Sequence, residues 1–284
     1  MTEPALPPVR IEEQEPLYLR FRRRLAAAAV LWSAVTTLAA AGFGFVGLAV
    51  GIVGWGALAL LTVLWAFHRL QIEQVQHYRQ VEALFSLYAL IEINQPLPPM
   101  RLWAASPDFL LLTVGLIRRE RARIVLELGS GVSTLVNAYA LRANGGRIIS
   151  LEHDAVFRQT TLDYLAEHSL ADAAEVIEAP LRPVRVDMTD WLWYDTVFLN
   201  SLPPVDLLIV DGPPATVQSG ARYPALPLLF DRLREGALIL IDDCGRSQDA
   251  AVVRRWLNEF DLAVVRTAAT EKGAAVLRKT ADKG

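Results

Sequence analysis

The sequence predicts an α/β domain built on a doubly wound, mostly parallel sheet, preceded by a helical hairpin long enough to cross a bilayer twice. Three observations predict this. Strand-like and helix-like runs alternate from about residue 100 to residue 278. A buried strand, Val125–Leu128, runs into the turn Gly129-Ser130-Gly131. No charged residue occurs from Leu25 to Phe67.

Composition sets the outer bounds. A chain of 284 residues can form one sizeable α/β domain and something smaller. Its hydrophobic fraction of 53% is high for a soluble enzyme, and the excess is concentrated near the N-terminus. A net charge of -3 gives no bulk attraction to nucleic acid. The single cysteine, Cys244, excludes an internal disulfide and a cysteine-based zinc cluster, and it fits a reducing compartment.

Residues 1–24 read as a loose, proline-containing tail that ends in the basic cluster Arg20, Arg22, Arg23 and Arg24. Residues 25–67 follow as two spans, about Leu25–Ala41 and Phe45–Phe67, because a span needs roughly 20 apolar residues. The break falls in Ala41-Gly42-Phe43-Gly44. A cleaved signal peptide has an apolar core of roughly 7–15 residues, much shorter than this stretch. Arginines precede the first span and Arg69 follows the second, while the turn carries no charge. The positive-inside tendency therefore places both termini and the α/β domain on the cytoplasmic side of the inner membrane.

Residues 68–99 comprise an amphipathic helix to residue 94 and a proline-rich linker. Ile72, Val75, Tyr78, Val81, Phe85, Tyr88 and Ile91 recur at spacings of three or four. This stripe is expected to pack on the domain, with homodimerisation through 68–94 as the alternative.

The domain occupies 100–284. Ser106-Pro107-Asp108 predicts a helix start with Ser106 as N-cap. Strands are expected at 124–128, 147–151, 174–178, 205–210, 237–241, 262–266 and 274–278, with helices over 133–141, 155–168, 224–233 and 250–260. Such alternation gives a parallel sheet covered on both faces. Residues 181–204 are read as a loop that could cover a substrate.

Three features carry chemistry. Glycines after a buried strand let a helix N-terminus approach a ligand. Thr134 stands where a dinucleotide fingerprint wants its third glycine. Glu127, two residues before the first glycine, suits a cationic amino-acid ligand better than a pyrophosphate. Glu152 ends the next strand, where an acid can accept both ribose hydroxyls of an adenosine, and His153 would form a pocket wall. Asp211 ends a strand and Asp242-Asp243 end another. Carboxylates converging at neighbouring strand ends can hold a hard divalent cation such as Mg²⁺. The plain alternative is that one caps a helix and another is solvated.

These features, in this order, resemble class I S-adenosylmethionine-dependent methyltransferases, with their Rossmann-like, seven-stranded sheet. The nearest resemblance is to uncharacterised bacterial methyltransferases of the catechol and caffeoyl-CoA O-methyltransferase type. The runs Trp103-Ala-Ala-Ser106-Pro107-Asp108, Gly129–Thr134 and Ala221-Arg222-Tyr223-Pro224 support it. The resemblance implies that Glu127, Gly129 and Gly131 hold the methionine part of the cofactor, with Ser130 and Ser133 also among the cofactor-binding residues. Glu152 would hold the ribose beside the His153 wall, and Pro180 and Leu181 would border the adenine, where the family usually has an acid. Asp211, Asp242 and Asp243 match metal ligands. The family's lysine base is replaced by Pro214, so Asp211 or the metal becomes the candidate for deprotonation.

Trp193 and Tyr194 could stack on an acceptor, or be a hydrophobic lid. Arg222 could pair with an anionic acceptor group or with an acid of the protein. The expected activity is methyl transfer to oxygen of a small-molecule, glycan or lipid-linked acceptor. The alternatives are a binding or scaffold protein that lost catalysis and an NAD-dependent oxidoreductase.

Overall fold

A computed structural model describes residues 17–100 and 104–280. The N-terminal tail to residue 16, and Trp103, lie outside the described residues. The described residues form two compact units, one up to residue 79 and one from residue 80 onward.

The first unit contains helix α1 (Leu17–Phe43) and most of α2 (Phe45–Leu90). They turn at Gly44, whose φ of +57° is a conformation that glycine adopts without a Cβ penalty. The turn falls inside the predicted break, but both helices outrun their predicted spans. The two helices meet through small residues. A Cβ at Gly47 would strike the Ala39 carbonyl, one at Gly51 the Thr36 side chain, and one at Gly54 the Trp32 ring. The Trp32 indole N–H donates to the Gly51 carbonyl at 3.2 Å. Both helices are long and apolar enough to cross a membrane, from Arg23 to Phe43 and within Phe45–Leu90.

The second unit begins inside α2. No helix break occurs at residue 68, and α2 ends at Leu90 rather than 94. The buried face differs from the predicted stripe. Ala83, Leu87 and Ile91 are buried, whereas Ile72, Val75, Tyr78, Val81, Phe85 and Tyr88 are exposed. Ala83, Leu87 and Ile91 lie four residues apart and so share one helix face. A three-residue step precesses around the helix, and most of the apolar stripe points elsewhere.

Helix α3 (Pro107–Glu120) starts as predicted with Ser106 as N-cap residue, but without a capping bond from its side chain. The Ser106 hydroxyl turns to Asp108 Oδ1 at 2.6 Å, and the Asp108 amide donates instead to Gln80 Oε1 of α2 at 3.1 Å.

The sheet follows: β1 (Ile124–Leu128), α4 (Val132–Arg142), β2 (Arg147–Glu152), α5 (Ala155–Glu167), β3 (Ala174–Glu178), β4 (Leu181–Val186), β5 (Thr189–Tyr194), β6 (Val205–Val210), α6 (Ala225–Leu229), β7 (Leu233–Ile241), α7 (Ser247–Glu259), β8 (Leu262–Ala268) and β9 (Ala274–Lys279). Seven strands pair in the order β3-β2-β1-β6-β7-β9-β8. The first five are parallel, while β9 is antiparallel to both β7 and β8. This is the expected Rossmann-like, doubly wound sheet. The strand order reverses between β1 and β6, which places a crevice outside their carboxyl ends.

Strand side chains alternate between two cores. Val125, Ile148, Leu207 and Leu240 pack on the face covered by α3 and α4. Leu126, Ile149, Leu208 and Ile241 pack on the other, with Trp256 of α7 and Trp193. The run read as a loop, 181–204, is mostly structured. Strands β4 and β5 form an antiparallel hairpin, followed by a 3₁₀ turn over Thr196–Asn200. Its turn residues Asp187 and Met188 both have positive φ, so the tight turn carries no glycine signal.

Candidate active site

Glu127 lies on β1, which is buried on both faces. Its Oε2 accepts from the Thr134 hydroxyl and the Ser150 hydroxyl, each at 2.6 Å. Oε1 is buried with no hydrogen-bond partner. Burial pushes the Glu127 carboxyl up to about 7, against the pull of its hydroxyl donors. An unpaired buried carboxylate oxygen at the crevice is the group a cationic ligand would satisfy.

Gly129 (φ +97°) and Gly131 (φ +152°) adopt backbone conformations that favour glycine. The chain can thus turn from β1 into α4, with Ser133 buried in the helix's first turn. Thr134 Oγ1 accepts from the Gly131 amide at 3.1 Å, which ties the turn to Glu127 through one hydroxyl.

Glu152 ends β2 and binds the same turn. Its Oε2 accepts from the Ser130 amide at 2.9 Å and the Ser130 hydroxyl at 3.0 Å. Its Oε1 accepts from the amides of His153 and Asp154. Burial alone would raise its pKa, but these donors, His153 foremost, hold it below the usual value. His153 Nδ1 lies 3.1 Å from Glu152 Oε1, and this contact raises the histidine's pKa. Pro180 and Leu181 stand at the start of β4, where the Pro180 carbonyl accepts from the Asp195 amide.

Tyr194, at the end of β5, is fully buried and its hydroxyl has no partner. That hydroxyl sits against Gly212, where an added Cβ would collide with it and crowd the Leu128 carbonyl. Burial, then the charges of Glu152 and Asp211, raise its pKa well above the usual value. Trp193 is fully buried in the sheet-face core.

Asp211, Asp242 and Asp243 converge at the ends of β6 and β7. One carboxylate oxygen of each lies within 4.8 Å of the others. Both Asp242 oxygens and Asp243 Oδ1 are buried without a partner. Burial raises Asp211 to about 6, against the pull of Arg222 and with repulsion from Asp243 adding to it, and raises Asp242 to about 8, with repulsion from Asp211 and Asp243 adding to it. Asp243 has a φ of +61°, a conformation aspartate tolerates better than most residues.

Arg222 is 3% exposed and its guanidinium points into these acids. It donates to Asp243 Oδ2 at 2.6 Å and to Asp211 Oδ1 at 3.2 Å. It also meets the main-chain carbonyls of Asp211 and Asp242 at 2.6 and 2.8 Å. Of the two partners the sequence leaves open for Arg222, these are acids of the protein itself.

Two contributors carry no local signal in the sequence. Asp249, in the first turn of α7, lies 3.5 Å from Arg222 Nη1. Lys272, between β8 and β9, exerts a positive field on Asp211 and Asp242 while its ammonium bonds to the Ala104 carbonyl.

Residues 126–244 match a family model described as a methyltransferase domain. Two solved structures share the fold. One is an SAH-bound methyltransferase from Podospora anserina, 16% identical over 74% of this chain and 96% of that one, with a TM-score of 0.54. The other is an O-methyltransferase from Streptomyces achromogenes involved in tomaymycin synthesis, solved with SAM. It is 19% identical over 73% of this chain and 96% of that one, with a TM-score of 0.50. Among curated proteins no sequence match is significant. The α/β unit thus has the fold of these two methyltransferases, and residues 126–244 carry the match to a methyltransferase domain. The family match favours methyl transfer over the NAD-dependent alternative.

Proposed function

We propose that this chain is an O-methyltransferase tethered to the cytoplasmic face of the inner membrane, acting on an acceptor hydroxyl. The observation that carries the reading is the convergence of Asp211, Asp242 and Asp243 beside the glycine turn. S-adenosylmethionine supplies an electrophilic methyl group, so the protein's task is alignment and removal of one proton.

Glu127 Oε1 meets the ammonium of the cofactor's methionine part, and Gly129, Ser130, Gly131 and Ser133 let the turn close around it. Glu152 receives the ribose hydroxyls in place of its bonds to Ser130, with His153 as a wall. Pro180 and Leu181 border the adenine. Tyr194 lies between the cofactor end and the acid end of the crevice. It and Trp193 shape the acceptor's surroundings from β5.

The acids fit a divalent cation. Three carboxylates converge, and three of their oxygens are buried and unpartnered. Such an ion would be held by Asp211, Asp242 and Asp243, and it would make an acceptor hydroxyl easier to deprotonate. Asp211, raised toward neutrality by burial, is the protein group placed to take that proton. An oxygen acceptor follows from this chemistry.

The tether rests on α1 and the first half of α2. Helix α2 has 46 residues, about 69 Å at 1.5 Å per residue, more than twice the roughly 30 Å of a hydrocarbon core. Its uncharged part, from Phe45 to Phe67, would span the bilayer. The small-residue contacts between α1 and α2 suit helix association in lipid. A membrane location favours an acceptor carried on a lipid or an envelope glycan. The exposed residues Tyr78, Val81, Phe85 and Tyr88 of α2 support a homodimer.

Full-length protein in detergent, titrated calorimetrically with S-adenosylmethionine, tests the core of this reading. Absence of binding under conditions where the protein is folded would refute it.

A further inference from the structure

The acid cluster poses a problem of charge. Asp211, Asp242, Asp243 and Asp249 meet where β6, β7 and α7 end or begin. Like carboxylates this close repel unless a cation stands among them. Arg246 reaches only Asp243, at 2.9 Å, from a half-exposed position. Lys272 turns its ammonium to the Ala104 carbonyl. Among the described residues, Arg222 is the buried cation that touches three of the four acids, Asp243 at 2.6 Å, Asp211 at 3.2 Å and Asp249 at 3.5 Å.

We propose that Arg222 is the permanent counter-cation and positioning residue of this cluster, which holds the acids together without a metal, so that a divalent ion binds there as an exchangeable participant. The second half rests on the reading of Asp211, Asp242 and Asp243 as metal ligands.

The guanidinium fork explains why arginine does this. It binds one oxygen of Asp211, one oxygen of Asp243 and the carbonyls that end β6 and β7. A lysine ammonium is a point charge and cannot span those acceptors. The fork leaves the other oxygen of Asp211, Asp243 Oδ1 and both oxygens of Asp242 for an ion. An ion that was the cluster's main positive charge would be structural, and its removal would unfold the site. A guanidinium cannot dissociate or be chelated, so here the ion is free to come and go.

The test uses full-length protein and reads melting temperature with EDTA, Mg²⁺ or Mn²⁺. Wild type is expected to melt at nearly the same temperature in all three. Arg222→Met should melt about 10 °C lower in EDTA, the loss expected for breaking a buried ion pair. Mn²⁺ or Mg²⁺ should restore most of that loss, and equal ionic strength of NaCl should not. Arg222→Lys, which keeps a charge, should lie between them and also respond to the ions. The proposal is overturned if EDTA lowers wild type as far as the methionine variant. It is equally overturned if divalent ions restore neither variant. Should the methionine variant not fold, the lysine variant and wild type decide alone. Electron paramagnetic resonance of Mn²⁺ with wild type separates the metal reading. Failure of Mn²⁺ to bind, or to be released by EDTA, removes the exchangeable ion, while cation rescue still judges Arg222.

Discussion

The Thr134 hydroxyl donates to Glu127 Oε2 at 2.6 Å while accepting from the Gly131 amide. One side chain thus fixes both the glycine turn and the acid that precedes it. Glu127 is oriented with one oxygen satisfied and the other bare. Its carboxyl titrates at about 7, so near neutrality the free protein carries it partly protonated. In the proposed cofactor site only the carboxylate form of Glu127 would pair with the cofactor's ammonium. Cofactor affinity should therefore fall by about tenfold per pH unit below about 7 and level off above it. Calorimetry in buffers of different ionisation enthalpy should show proton release on binding at pH 6.5. Glu127→Gln should weaken binding at pH 8 and flatten the profile. A profile of unchanged slope would remove Glu127 from the cofactor site.

Glu152 Oε2 accepts two bonds from Ser130, and the proposed ribose site would replace them. Hydrogen bonds to a charged group contribute about 1.5–3 kcal/mol each. Glu152→Ala should weaken S-adenosylmethionine and S-adenosylhomocysteine alike by at least about tenfold, whereas Ser130→Ala should cost much less. Equal losses from both substitutions would mean that the pair only shapes the turn.

Tyr194 and Gly212 make a complementary pair. A methyl at Gly212 would collide with the Tyr194 hydroxyl, so Gly212→Ala should cost about 1–3 kcal/mol by overpacking. Tyr194→Phe removes the oxygen and should recover part of that loss in the double variant. Chemical denaturation of the four proteins closes the cycle. A double variant no more stable than Gly212→Ala would place the strain elsewhere, at the Leu128 carbonyl.

Much of this site is legible along the chain because it sits at strand ends. Runs such as Leu207–Val210 and Ala237–Ile241 are continuous apolar stretches, and an acid at or just after the end of such a strand lies at the crevice. Glu127, Glu152, Asp211, Asp242 and Asp243 are found this way. Arg222 is a candidate whose partner stays open, and Asp249 and Lys272 are not found, because their meeting depends on connections far apart in the chain. The β4–β5 hairpin is obscured for local reasons. Pro183, Arg185 and Asp190 interrupt it, only one face is buried, and Asp187-Met188 turn the chain without glycine. The stripe on α2 misleads because apolar periodicity shows that a face exists, not that the domain covers it.

The acid cluster should also set how stability varies with pH. Asp211 and Asp242 have folded-state values of about 6 and about 8, above the value for an exposed aspartate. An acid whose pKa is raised on folding binds its proton more tightly in the folded state. Its contribution is complete below the unfolded value and is lost as pH rises through the folded value. In EDTA the domain should therefore melt at progressively lower temperature from about pH 4 to about pH 8. Asp242→Asn, which cannot ionise, should remove the upper part of that slope, between about pH 6 and about pH 8. Scanning calorimetry across that range decides the matter. Stability that rises with pH over the same interval would mean that Asp211 and Asp242 are ionised and well compensated in the free protein, with Arg222 and Lys272 together sufficient for all four acids.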